Sequence, residues 1–229
     1  MAAPQFTGFP PETFAFLQEL TANNNRLWFE VHRAEYQAFY LEPALALVTA
    51  LGPELQRVDS SVRFEPRLNG SLFRINRDVR FSADKTPYKA YIDLWFWCGA
   101  RKAWDTPGFF FRMLPESLIA GAGMHKFTPA QLSAYRASLA GPAGAELMAL
   151  TEQITASSKY TLGDPDLVRL PRGAAVPVGR ETLARRIGLH PMYEGPAPPE
   201  AGGAGFVDWC MAVYRDLAPI NQWLMGLAG

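Results

Sequence analysis

The chain has 229 residues, 48% of them apolar and 19% charged, which is enough apolar material for a buried core and the wrong balance for a disordered tail or a coiled coil. Twenty-two basic residues balance 22 acids, so a globally basic nucleic-acid binder is disfavoured and only a local basic patch could serve that purpose. Two cysteines, Cys98 and Cys210, are too few for a disulfide framework or a four-thiolate zinc site, and neither a basic leader nor a membrane-length apolar run occurs, which predicts a soluble cytoplasmic protein with no membrane partner.

Pro10 and Pro11 open a first helix that carries Phe14, Leu17 and Leu20 on one face. Asn23, Asn24 and Asn25 break it, because asparagine side chains compete for nearby backbone groups and favour caps and turns. A second helix follows. Leu27, Val31, Ala34, Ala38 and Leu41 form one stripe and Trp28, His32 and Tyr36 a neighbouring one, so both are expected on a wide, half-buried face. Pro43 suits the first turn of a third helix over residues 43–57.

From residue 61 the period becomes strand-like. An Asn-Gly turn at 69–70 leads into a predicted strand over 71–81, and the segments 90–98, 108–114 and 118–127 read as further strands with short connections, which favours an antiparallel meander. Thr128 and Pro129 cap and start another helix, with Leu132, Tyr135 and Leu139 inward, and a further helix covers about 145–156. Residues 163–205 hold eight glycines and seven prolines and are expected to be mostly loop, before a C-terminal helix over 206–227 with a kink at Pro219. The fold class is therefore α+β: one domain over 1–229, with an antiparallel sheet of four or more strands between about 61 and 127, flanked by N-terminal and C-terminal helices.

Chemistry concentrates in residues 73–91, FRINRDVRFSADKTPYKAY, where Arg74, Arg77, Arg80, Lys85 and Lys89 stand against Asp78 and Asp84, a local +3 in a neutral chain. If 71–81 is a strand, Arg77 lies on the apolar register with Phe73, Ile75, Val79 and Phe81. A buried guanidinium needs a carboxylate or anion within reach, and Asp78, Asp84 and Asp93 are the candidates. Arg80 and Lys89 lie nearer the turn and are expected to be more accessible. Asp84-Lys85-Thr86-Pro87 reads as that turn.

This segment, with FLQELTANNNRLWFEVHRAEY at 16–36, closely resembles the signature segments of the DUF2461 family. The motif Arg-x-x-Arg-Asp-x-Arg-Phe-Ser-x-Asp-Lys-Thr-Pro-Tyr-Lys starts at Arg74, and Ala83 stands where members often carry Lys. The resemblance covers nearly the whole chain. It implies a cytosolic, single-domain, mainly bacterial protein, and supplies neither a reaction nor a cofactor.

Three readings of the basic segment follow. In the leading one, Arg74, Arg77, Arg80, Lys85 and Lys89 hold the phosphate or carboxylate of an anionic small molecule, with Trp28, His32 and Tyr88 as walls and a proton donor or acceptor. The residues do not decide whether a reaction is catalysed. In the second, the same cations and interleaved aromatics bind nucleic acid. In the third, they only form a salt-bridge network with Asp78, Asp84, Asp93 and Glu30. No metal site is expected: His32, His125 and His190 lack ligand spacing, so only the fold could assemble one. Gly121-Ala122-Gly123 is read as permitting close approach within the sheet, and Cys98 as inert packing.

Overall fold

The computed structural model describes residues 5–100, 102, 105–170 and 176–227. Five strands, β1 (Val62–Arg63), β2 (Ile92–Cys98), β3 (Gly108–Met113), β4 (Ser117–Gly123) and β5 (Met192–Pro196), lie side by side in chain order, each antiparallel to the next. Helices α1 (Pro11–Ala22), α2 (Arg26–Val31), the short α3 (Arg33–Glu35) and α4 (Glu42–Val58) precede the sheet. Helices α5 (Pro129–Ser138), α6 (Pro142–Ala156), the single turn α7 (Glu181–Ala184) and α8 (Phe206–Gly226) follow β4. The α+β architecture is as expected. Among the described residues no helix is long and apolar enough to cross a membrane.

Alternation decides which face of the sheet is core. Leu94 faces Phe111, which faces Ala120, and Phe96, Phe109 and Ala122 form the next row on the same side, all of them buried. α8 covers that face: Phe206 meets Phe111 edge-on at 5.8 Å and Tyr214 meets Phe109 at 5.3 Å. The opposite face carries Asp93, Trp95 and Trp97 on β2, Phe110 and Arg112 on β3, and Gly121 on β4. Glycine matters here because a Cβ on Gly121 would lie 2.3 Å from the Phe110 ring and one on Gly108 would lie 2.8 Å from Trp95. The close approach expected of Gly121 is thus made by an aromatic ring across the sheet.

Four expectations need correction. Residues 71–81 do not form a strand. Ser71 and Phe73 pair with β2 through Trp95 N–H to Ser71 O and Phe73 N–H to Asp93 O, and the chain then leaves the sheet as a two-limbed excursion held by Arg77 N–H to Pro87 O and Lys89 N–H to Ile75 O. Pro87 offers no donor, and Asp78 and Asp84 accept from the backbone N–H groups of Arg80 and Thr86, so local turns replace the ladder. Phe81, expected on an inward register, is 95% exposed at the tip.

The loop predicted over 163–205 contains α7 and the fifth strand, β5. Glycine and proline at its ends suit an edge strand, and pairing with β4 supplies what its own sequence does not. Helix α6 starts at Pro142, earlier than expected, since proline fits the first turn.

The apolar stripe of the second helix is not one face. Leu27 and Val31 are exposed, whereas Phe29 and Tyr40 are buried and Trp28 and Tyr36 half-buried. α2 ends at His32, and residues Tyr36–Leu41 wind as a π-helix in which the Glu42 N–H reaches back five residues to Gln37 O. The wider turn shifts the phase of the side chains, so that Tyr36 and Tyr40 both meet Phe16 of α1, at 6.4 and 6.3 Å.

Candidate functional site

The three asparagines between α1 and α2 each have a separate task. Asn23 ends α1, and Asn25 caps α2 by accepting from the Trp28 N–H at 3.0 Å. Asn24 instead reaches 64 residues along the chain: its Nδ2 donates to the Tyr88 carbonyl at 2.9 Å and its Oδ1 accepts from the Tyr88 N–H at 3.0 Å. The Tyr88 ring stacks on Phe29 at 4.2 Å and is 5% exposed. Tyr88 therefore anchors the root of the 74–91 excursion to the helical elbow. Its ring is packing, not the open pocket wall expected of it.

At the tip the cations are tied locally. The Arg77 guanidinium grips Asp84 and the Thr86 hydroxyl and also donates to Thr86 O at 3.2 Å. It is paired to a carboxylate, one of the three candidates, but only half-buried, and Lys89, expected to be more accessible, is no more exposed than it is. Arg80 forks onto Asp78 at 2.9 and 2.6 Å, and Lys85 donates to Val79 O at 2.9 Å. Asp84 is held down at about 2 by the Thr86 N–H first and Arg77 second; Asp78 is held at about 2 by Arg80.

At the root the arrangement differs. Asp93 of β2 faces Arg112 of β3 across the pair, and Arg112 donates to both its oxygens, at 2.6 and 3.1 Å. The Asp93 proposed as a partner of Arg77 is thus engaged by a residue that sequence reasoning passed over, the one charge in an otherwise aromatic strand. Lys89 stands 3.9 Å from Asp93, 5.3 Å from the Phe73 ring and 5.9 Å from the Tyr91 ring, and its ammonium makes no hydrogen bond among the described residues. Burial pushes the Lys89 pKa down, with Arg112 and Arg74 adding to the effect and Asp93 opposing it. Arg74 is exposed beside this group, close enough for its charge to act on both Lys89 and Asp78. Arg112 lies over the Tyr91 ring at 4.2 Å.

Trp28 and His32 lie on the elbow, stacked at 3.9 Å with 13° between their planes, and the exposed Glu30 of α2 pairs with Arg33 of α3. The structure brings Lys89, Arg74, Asp93 and Arg112 together, leaves Arg77, Arg80 and Lys85 at the tip, and places Trp28 and His32 on the elbow that Asn24 and Phe29 join to Tyr88. A cavity of about 160 Å³ between α6 and α7, lined by Thr151, Glu152 and Arg186 among others, includes none of these residues. Burial pushes the Cys98 thiol up to about 12, which suits packing and not nucleophilic chemistry.

Compared with known families, residues 12–223 match the model of a family described as "Conserved hypothetical protein (DUF2461)". No curated protein matches the chain.

Proposed function

The chain belongs to the DUF2461 family, and from that premise we propose that it binds an anionic small molecule bearing phosphate or carboxylate at the root of the basic excursion. Lys89, Arg74 and Arg112 would hold the anion, and Trp95 and Phe110 lie on the same sheet face as a wall. One observation carries the reading. Arg112 and Lys89 share a single carboxylate, Asp93, both of whose oxygens already accept from Arg112, while the half-buried Lys89 ammonium makes no hydrogen bond among the described residues and also feels the charge of the nearby Arg74. A desolvated cation without a close acceptor is costly unless an anion completes it. The tip cations, each already bonded within its own segment, hold the excursion in shape.

Isothermal titration with inorganic phosphate and with a small dicarboxylate tests this. Lys89→Met keeps the stem and removes the charge, and Arg74→Met does the same beside it; each is expected to weaken binding by about tenfold or more. Arg80→Ala, at the tip, is expected to leave it unchanged. Failure of the wild-type protein to bind either probe at millimolar concentration rejects the proposal. Titration of a single-stranded oligonucleotide at two salt concentrations separates the rival: tight binding with a steep salt slope that depends on Arg80 and Lys85 favours nucleic acid.

A further inference from the structure

We propose that Glu19, His32 and Glu35 form a binding site for one divalent first-row transition-metal ion. A ligand atom from each of the three, two carboxylate oxygens and one imidazole nitrogen, lies within 4.8 Å of the other two. Glu19 comes from α1, His32 from the junction of α2 and α3, and Glu35 from the end of α3 just before the π-helical turn. Neither sequence spacing nor a shared helix brings all three together; the Asn elbow does, by folding α2 back beside α1.

The imidazole is prepared for this role. Its Nδ1 lies 2.7 Å from the Trp28 carbonyl oxygen, which can only accept, so Nδ1 carries the proton and Nε2 holds the free lone pair. Stacking on Trp28 at 3.9 Å fixes the ring plane. A backbone carbonyl that sets the tautomer is the usual support of a metal-binding histidine.

The carboxylates are equally uncommitted. Neither the Glu19 nor the Glu35 side chain makes a hydrogen bond or ion pair among the described residues, and the nearby Arg33 is turned to Glu30, which it grips at 2.6 and 2.9 Å. Three acceptor atoms thus converge with no donor between them. Such an arrangement is repulsive until a cation joins it. One imidazole with two carboxylates suits Mn²⁺, Fe²⁺ or Zn²⁺ better than Mg²⁺ or Ca²⁺, which prefer oxygen alone, and three protein ligands leave positions for water. The span of 4.8 Å closes to ligand distance with small side-chain rotations, because metal–ligand bonds of about 2.0–2.2 Å hold opposite donors roughly 4 Å apart.

Titration calorimetry of the whole chain with Zn²⁺ and, separately, Mn²⁺ tests the site. At least one ion is expected to bind at one equivalent, and Glu19→Gln and Glu35→Gln are each expected to weaken it by about tenfold or more. His32→Ala should do the same; should it fail to fold, the glutamate variants decide, since Glu19 is exposed, Glu35 half-buried, and Gln keeps the size of each side chain. Glu30→Gln and His125→Ala are expected to leave binding intact. Absence of binding by both ions, less than a tenfold loss in either glutamate variant, or loss in His125→Ala instead overturns the proposal.

Discussion

The tip and the root of the 74–91 excursion carry the same kinds of side chain and use them in opposite ways. At the tip, Arg77, Arg80 and Lys85 find acceptors five to nine residues away or nearer, in carboxylates and carbonyls of the same segment. At the root, Arg112 of β3 reaches Asp93 of β2 across the sheet while Lys89 approaches the same carboxylate from four residues upstream, and partial burial weakens solvent screening of the group. The tip pairs satisfy their own segment and shape a turn, whereas the cross-sheet pair at the root occupies both oxygens of Asp93 and leaves the neighbouring Lys89 as a surplus of charge that a ligand can use.

The largest effect is expected where the root loses its anion. Asp93→Ala leaves Arg112 and Lys89 half-buried without a carboxylate and should lower stability by about 2–3 kcal/mol in a denaturant melt. A double-mutant cycle with Arg112→Ala should show strong positive coupling, and additivity would erase the distinction between root and tip. Next comes the attachment of the root to the elbow. Asn24→Ala unpairs both backbone groups of Tyr88 and is expected to cost about 1–2 kcal/mol, with faster amide exchange at Tyr88 as its local signature.

At the tip, Arg77→Ala should cost about 1 kcal/mol, because its contacts are half-exposed and local, while Arg80→Ala should leave the melting temperature unchanged. Equal losses for both would mean that the tip acts as one network.

A smaller effect, at His190 beside Phe110, is pH-dependent. Burial first and the neighbouring His125 second push the His190 pKa below its ordinary value, so the unfolded chain takes up this proton at a higher pH than the folded one. The contribution is present above the ordinary histidine pKa of about 6.5 and is lost as pH falls below it toward the folded value. Melts between pH 8 and 5 should fall on the acid side, and His190→Gln should flatten that fall.

The sequence by itself determined the elements whose signals are local. Thr128 and Pro129 read as the cap and first turn of a helix, which the structure reproduces with Gln131 completing a capping box, and the run from Ile92 to Cys98, bulky in both registers, read as a strand that the structure buries at six of its seven residues. The turn at Asp84 was legible from Asp84-Lys85-Thr86-Pro87, whereas the turn at Asp78 was not, because an alternating pattern of apolar residues suggested a strand there instead. That strand failed because alternation describes which way side chains would point, not whether a neighbour exists to complete the ladder.

Tertiary structure alone decided the partners. Arg112 faces Asp93 because β2 and β3 pair in one register, β5 exists because β4 offers an open edge, and His32 meets Glu19 and Glu35 because an elbow of asparagines and a π-helical turn fold two helices together. Each of these depends on contacts between residues distant in the chain, whose closure entropy only the assembled core repays, so no window of sequence contains them.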